Sequence, residues 1–116
     1  MPGRLSLPRH SRLLKGGEFR QVFDQRRAIS NELFRIHFAD AEQPRLGMAV
    51  SRRVSPRAVV RNRIRRQVRE SFRLTRQRLA ALDFVVLAKP AAAAADRHRL
   101  RQAIDQLWQR FIEKQP

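Results

Sequence analysis

The chain has 116 residues and a large excess of positive charge, with 26 Lys and Arg against 10 Asp and Glu and a formal net charge of +16. This length fits one domain with a single core. Self-repulsion at such a charge favours a partner with dense negative charge. Only three of the basic residues are lysines, at positions 15, 89 and 114. Because the planar Arg guanidinium chelates phosphate and stacks on bases, this bias favours nucleic acid, although a GC-rich genome would produce the same bias.

The residues that the chain lacks disfavour several other classes. The absence of Cys excludes disulfides and thiolate zinc sites. No apolar run approaches the roughly 20 residues of a membrane span, and the N-terminal MPGRLSLPRHSRLL lacks the apolar core of a signal peptide. We therefore expect a cytoplasmic protein without a membrane partner. Since 42% of the residues are hydrophobic, we expect a folded chain.

The first half of the chain predicts a basic arm, a short helix and two strands. Residues 1–14 contain Pro, Gly and Arg without a sustained period, which is typical of a flexible arm. In EFRQVFDQ (18–25) the apolar spacing predicts a helix, and RRAIS (26–30) is interpreted as a link. Strict alternation predicts a strand over LFRIHFA (33–39). A second strand is expected over RLGMAVS (45–51), whose small-residue face permits close approach of a helix or of a ligand backbone.

The second half predicts a basic loop, a long helix, a buried strand and a last helix. After the loop SRRVSPRAVV (51–60), an apolar stripe at helical spacing comprises Val60, Ile64, Val68, Phe72, Thr75 and Leu79. LDFVVLAK (82–89) predicts a strand covered on both faces. Asp96 is expected to cap a helix with the apolar residues Leu100, Ile104, Leu107, Trp108 and Phe111. The predicted order is helix, strand, strand, a third short strand, helix, strand, helix, all within one domain.

The long helix carries a contiguous positive face. Placing residues at about 100° steps puts the apolar stripe within roughly 0 to 120° and the arginines over roughly 140 to 300°. Eight arginines from Arg61 to Arg78 accompany one acid, Glu70, which can pair with Arg66 or Arg73. A solvated face is the alternative, but such faces usually interleave charges of both signs. The pattern therefore predicts contact with phosphates, and the scarcity of Asn and Gln disfavours the reading of DNA bases.

Aromatic residues offer a second candidate contact, whereas catalytic groups are scarce. Phenylalanines at 19, 23, 34 and 38 can stack on unpaired bases, although at this spacing most are expected in the core. His37 alternates to the other face of its strand and is the better exposed candidate. The three histidines at 10, 37 and 98 lack metal-ligand spacing, and the sequence has no H-E-x-x-H motif, no P-loop and no Gly-rich dinucleotide turn. The sequence predicts neither a catalytic residue nor a metal site.

The segment RNRIRRQVRES (61–71), preceded by LGMAVSRR and followed by LDFVVLAK, closely resembles the protein subunit of bacterial ribonuclease P. RLLKGGEFRQVFDQ and LRQAIDQLWQRF extend the resemblance to about residues 8–112. It implies an accessory subunit of an endonuclease that removes the 5′ leader of precursor tRNA. The catalytic RNA subunit would carry the active site and its magnesium ions, so this chain would need no cofactor and no protein partner.

The resemblance also implies two sets of site residues. Residues that match the family signature in the long helix would contact the catalytic RNA: Arg61, Asn62, Arg63, Arg65, Arg66 and Arg69. Ser51, Arg52 and Arg53 match the strand end and the basic loop beside it and would contact the same RNA. A cleft between the first helix and the sheet would hold the single-stranded leader, with the candidates Phe19, Phe23, Phe34 and His37. His37 stands where some members have an aromatic residue. Arg65 replaces a usual Lys, which preserves charge and permits bidentate phosphate contact.

The implied fold is an α+β two-layer sandwich with a mixed four-stranded sheet and three helices, similar to the second domain of a ribosomal protein. A left-handed βαβ crossover through the long helix is implied by the resemblance alone, because about 98% of such crossovers are right-handed. Two other functions remain open at this point. A structural RNA-binding protein of ribosomal type would share the charge and the fold. A membrane-surface protein would need to expose the apolar stripe that the strands compete to bury.

Overall fold

The computed structural model describes residues 9–12 and 16–112. In these ranges the elements follow the order α1, β1, β2, β3, α2, β4, α3. The α-helices are α1 (Gly16–Asp24), α2 (Ala58–Thr75) and α3 (Arg97–Trp108). The strands are β1 (Ala28–Ser30), β2 (Phe34–Asp40), β3 (Arg45–Ala49) and β4 (Leu82–Ala88). None of the helices in these ranges has the length and apolarity that a membrane span needs.

The four strands form one mixed sheet in the order β1-β2-β4-β3. β1 and β4 pair antiparallel with β2, whereas β3 pairs parallel with β4. The predicted α+β fold with a mixed four-stranded sheet and three helices is therefore confirmed. β3, α2 and β4 form a βαβ unit of adjacent parallel strands, and its left-handed sense stays a prediction of the family resemblance. As expected for a central strand, Phe84, Val85 and Val86 of β4 are buried on alternate faces.

One face of the sheet carries α2 and α3 and most of the core. Trp108 lies at its centre, with its ring 5.1 Å from that of Phe84 and 5.6 Å from that of Phe72. Every residue of the predicted α2 stripe is buried: Val60, Ile64, Val68, Phe72, Thr75 and Leu79. Asp96 caps α3 as predicted, because its carboxylate accepts a hydrogen bond of 2.8 Å from the backbone N–H of Arg99. The helical layer is therefore the one that the apolar periodicity indicates.

The opposite face carries α1 over a small cluster of three buried residues, Val22, Ala39 and Val85. Phe19 and Phe23 of α1 pack against this cluster and are only partly buried. α1 spans nine residues, so it covers one part of this face. Ala49 at the end of β3 is exposed on the same face, since it pairs with Leu87 of β4 beside the cluster.

The predicted strand order is wrong in one respect. The third short strand lies before the other two, at Ala28–Ser30, in the segment interpreted as a link. The segment after β3 is a loop. Three residues are too few to show an alternating pattern, and β1 is defined by its pairing with β2, in which Ile29 lies opposite Ile36. Arg26, with φ of 55°, makes the turn into the strand.

The described part of the predicted N-terminal arm is docked on the domain. Residues 9–11 form a 3-10 turn, and Arg12 makes a parallel bridge to Leu46 beside β3. Ser11 is buried, and its hydroxyl accepts a hydrogen bond of 2.5 Å from Arg76. These residues thus contact β3 and Arg76, which directly follows α2, and the flexibility of the arm stays a prediction. The rest of the predicted arm lies outside the described residues.

Candidate RNA interface

The loop before α2 presents three of the predicted contact residues to solvent. Ser51, Arg52 and Arg53 are exposed, whereas Val54 and Ser55 that follow are buried. The buried pair anchors the loop against the core. The Ser55 hydroxyl accepts a hydrogen bond of 3.2 Å from the backbone N–H of Arg57, where α2 begins. The loop therefore extends the positive face of α2 toward the end of β3.

Three arginines of the signature are oriented by backbone carbonyls. Arg61 donates to the Ser55 carbonyl at 3.0 Å, and Arg63 donates to the Ala93 carbonyl at 3.2 Å. Arg65 makes longer contacts of 3.4 Å to the Val50 carbonyl and to the Asn62 side-chain oxygen. Because these acceptors are neutral, they orient the guanidinium groups and leave the positive charge uncompensated.

The next turn of α2 completes this positive surface. Asn62, Arg65, Arg66, Arg69 and Glu70 line a shallow depression of about 300 Å³. Glu70 forms an ion pair of 2.8 Å with Arg73, which decides between the two partners that the sequence leaves open. Across residues 9–12 and 16–112, the arginines found in ion pairs are those at 27, 45, 73 and 99. No signature arginine is among them, so the α2 face keeps its charge.

The second candidate surface is the cleft, defined here as the α1 side of the sheet around Phe19, Phe23, Arg35 and His37. The rings of Phe23 and His37 meet edge to face, with centroids 4.8 Å apart. Nε2 of His37 accepts a hydrogen bond of 3.3 Å from Nε of Arg35, which is exposed. Burial and then the charge of Arg35 lower the pKa of His37, which favours neutral imidazole. The cleft therefore combines partly exposed aromatic rings with one exposed guanidinium.

Phe34 does not belong to this cleft. It is 0% exposed and lies in the core under the helical layer, on the face opposite to α1. In β2 the side chains alternate between the faces, so Phe34, Ile36 and Phe38 face α2 and α3 while Arg35 and His37 face α1. The prediction of Phe34 as a leader contact is therefore wrong, and the expectation that most of the four phenylalanines are core holds for Phe34.

An ion-pair network that was not predicted attaches α1 to the sheet. Arg45 of β3 binds Asp83 of β4 in bidentate fashion, at 2.7 and 2.9 Å, and also binds Glu18 of α1 at 2.8 Å. The hydrogen bond to Asp83 is the main cause that raises the pKa of Arg45. The sequence signal was Asp83 itself, because an acid inside an apolar strand needs a cationic partner.

The two surfaces lie on opposite faces of the sheet, and the α2 surface extends to the end of β3, where Ala49 pairs with Leu87 and Leu87 pairs with Arg35 of the cleft. Arg65 of α2 reaches the carbonyl of Val50, which directly follows Ala49 on the exposed part of the α1 face. In the described part of the chain no three or more His, Asp or Glu side chains are grouped to hold a metal ion. The exposed side chains of the two surfaces offer electrostatic contact, hydrogen bonding and stacking.

Comparison with known proteins gives one consistent result. A family model described as ribonuclease P matches residues 7–112. The ribonuclease P protein component of Thioalkalivibrio sulfidiphilus is 40% identical, over 90% of this chain and 88% of the relative. The ribonuclease P protein component of Haemophilus influenzae is 42% identical, over 94% of this chain and 93% of the relative. Among solved structures, the ribonuclease P protein from Thermotoga maritima is 27% identical, with a TM-score of 0.76 over 88% of this chain and 98% of that chain.

Proposed function

Because the chain belongs to the ribonuclease P protein family and is the protein subunit of that enzyme, we propose a separate RNA contact for each of its two surfaces. α2 and the loop before it bind phosphates of the catalytic RNA. The cleft binds the single-stranded 5′ leader of precursor tRNA. The observation that carries the proposal is that Arg61, Arg63, Arg65, Arg66 and Arg69 of α2 form no ion pair in the described chain, and that neutral backbone carbonyls orient the first three.

Phosphate contact explains why such a face is tolerated. Guanidinium groups release counterions from RNA when they bind its phosphates, so affinity falls as salt rises. A guanidinium that is already oriented loses less entropy when it forms a bidentate phosphate contact. α2 therefore acts as a rigid array that joins the protein to the folded RNA.

The cleft suits an unpaired strand. Single-stranded RNA is held by aromatic stacking and by backbone contacts, and the cleft offers Phe19, Phe23 and the exposed Arg35. Both surfaces belong to one small domain, so one protein contacts the RNA subunit and the substrate together. Its positive charge then lowers the repulsion between them, and less magnesium is needed for the same binding.

Cleavage itself is assigned to the RNA subunit, which would hold the magnesium ions. Magnesium ions that act on RNA are usually held by few protein ligands together with phosphate oxygens, and a folded RNA supplies such oxygens in abundance. The protein's contribution is to bind and position both RNAs. We propose that it does so in the cytoplasm, in keeping with a chain that has no Cys.

Reconstitution with the catalytic RNA tests this function. At low magnesium the protein should increase the rate at which precursor tRNA is converted to mature 5′ ends, and the increase should shrink as magnesium is raised. A structural RNA-binding protein of ribosomal type would bind RNA and leave this rate unchanged. The substitution pair Arg65→Ala and Arg69→Ala should reduce the stimulation, while Arg110→Ala, an exposed site beyond α3, serves as the control.

A further inference from the structure

A second basic groove lies between α2 and α3, next to the α2 depression. It has a volume of about 480 Å³ and is lined by Val59, Asn62, Arg63, Arg66, Gln67 and Arg97. Three of these side chains are guanidinium groups, two are amides and none is a carboxylate. Arg97 is the residue that α3 contributes, and the signature of the long helix does not include it.

The sheet topology explains why positive charge collects here. β3 and β4 are parallel neighbours, and each is followed by a helix, so α2 and α3 begin at the same edge of the sheet. Neither helix has an acidic residue in its first turn. α3 instead begins with Arg97, His98 and Arg99, although the helix macrodipole favours negative charge at this end. The Asp96 carboxylate that caps α3 offsets part of its dipole, whereas α2 has Arg57 at its N-cap, so the dipole of α2 adds to the positive potential of the side chains.

The guanidinium groups of the groove differ from others nearby in their partners. Arg99, two residues after Arg97, forms an ion pair with Glu32. Arg97 is exposed and has no hydrogen-bond or ion-pair partner within residues 9–12 and 16–112. Arg63 is oriented by the Ala93 carbonyl, while its Nε is buried without an acceptor among those residues. No carboxylate lines the groove, so its guanidinium groups keep their positive charge.

We infer that this groove binds the phosphate backbone of a second segment of the catalytic RNA, with Arg97 as its contact on α3. The inference rests on the proposed function of α2. Phosphate oxygens fit guanidinium donors, and the amides of Asn62 and Gln67 suit ribose hydroxyls or base edges at the same depth. The catalytic RNA is favoured over the precursor because the groove is continuous with the α2 depression through Asn62 and Arg66, and the cleft lies across the sheet.

The test compares Arg97→Ala with Arg110→Ala in the full chain. Both residues are exposed arginines, one at the start of α3 and one just after its end, so the variants have equal net charge. Affinity for the catalytic RNA is measured between about 50 and 200 mM salt, without precursor tRNA. Loss of one phosphate contact should lower the salt slope by roughly one. Over this range the affinity of the variant should therefore fall roughly threefold less than that of the unchanged protein. Arg97→Lys should retain most of the slope, and circular dichroism confirms that each variant is folded.

Three outcomes would overturn the inference. Equal slopes for Arg97→Ala, Arg110→Ala and the unchanged protein would remove Arg97 from the interface. A normal affinity for the catalytic RNA together with a higher KM for precursor tRNA would assign the groove to the substrate. An equal loss in both variants would indicate an effect of net charge alone. In each case the salt slope of Arg65→Ala is measured in parallel, and a lower slope shows separately that α2 binds the catalytic RNA.

Discussion

The two faces of the sheet differ in how completely they are covered. Under α2 and α3 lies a continuous core that includes Trp108, Phe34, Phe72 and Phe84, all with 0% exposure. Under α1 the buried cluster has three members, Val22, Ala39 and Val85. Ion pairs and partly exposed aromatic rings complete that face, whereas apolar packing closes most of the helical face, with polar contacts such as that between Ser71 and Asp105 at its edges.

Because of this difference, we expect the helical face to supply most of the stability and the α1 face to contact the substrate. A thick apolar layer supplies most of the burial that stabilises a small domain. A thinly covered face leaves aromatic rings available to an unpaired strand. The α2 helix serves both roles, because its apolar stripe belongs to the core while its other side carries the phosphate-binding arginines. Substitutions on the two faces should therefore affect different measurements.

The largest expected effect is on stability, from Trp108→Ala in the helical layer. The cavity should lower the free energy of unfolding by about 3–5 kcal/mol, measured by urea denaturation. Val22→Ala under α1 should cost about 2 kcal/mol, since two methyl groups are removed. Equal losses for the two variants would contradict the contrast between the faces.

Arg45→Ala tests whether ion pairs attach α1. Asp83 is 8% exposed, so removing its bidentate partner should cost about 3 kcal/mol in urea denaturation. Adding Asp83→Asn should recover part of this loss, because the uncompensated buried charge is then gone. If the double variant is no more stable than Arg45→Ala, the uncompensated charge of Asp83 is not the cause of the loss.

Arg65→Ala combined with Arg69→Ala should separate RNA binding from folding. Loss of two phosphate contacts should lower the salt slope for the catalytic RNA by roughly two. Between about 50 and 200 mM salt, the affinity of the variant should therefore fall about tenfold less than that of the unchanged protein. Stability should change little, because the apolar stripe is intact. The control pair Arg78→Ala and Arg110→Ala removes two exposed arginines outside the signature. A slope that drops equally in both pairs would show that position on α2 is irrelevant.

Apolar periodicity was sufficient to predict the helical layer. The stripe from Val60 to Thr75 and the Asp96 cap follow from local rules, and the structure places them as expected. Leu79 is buried as predicted, but it lies beyond the helix, which ends at Thr75. β1 escaped prediction because three residues have no readable period, and pairing with β2 defines the strand. Local sequence rules do not predict which strands pair with one another.

The candidate site was predictable in part for the same reason. The α2 arginines follow from spacing along one helix. Alternation in β2 shows that Phe34 and His37 lie on different faces, but which face carries α1 depends on packing that alternation does not encode. Arg45 and Asp83 are separated by 38 positions, so their pairing required the sheet register.

Phe19→Ala should weaken leader binding through the α1 face. One lost stacking contact should cost about 1 kcal/mol, measured as affinity of the reconstituted enzyme for precursor tRNA with and without its leader. The matched control is Phe38→Ala, since Phe38 is also partly buried but lies on the helical face against Phe111. A lower melting temperature with unchanged leader affinity in Phe19→Ala would assign Phe19 to the core.

The smallest expected effect is a pH dependence from His37. Burial and Arg35 lower its pKa in the folded state, so the unfolded chain binds more protons as pH falls below about 6.5. The stability associated with neutral His37 should therefore be present above that pH and decrease as pH falls through the folded pKa. His37→Gln should flatten this part of the pH profile in urea denaturation, and Arg35→Gln should bring the pKa of His37 closer to its ordinary value in an NMR titration. A His37 pKa that does not respond to Arg35→Gln would show that the contact between the two side chains does not form in solution. The α1 face would then have one contact fewer, and the difference in coverage between the two faces of the sheet would be larger.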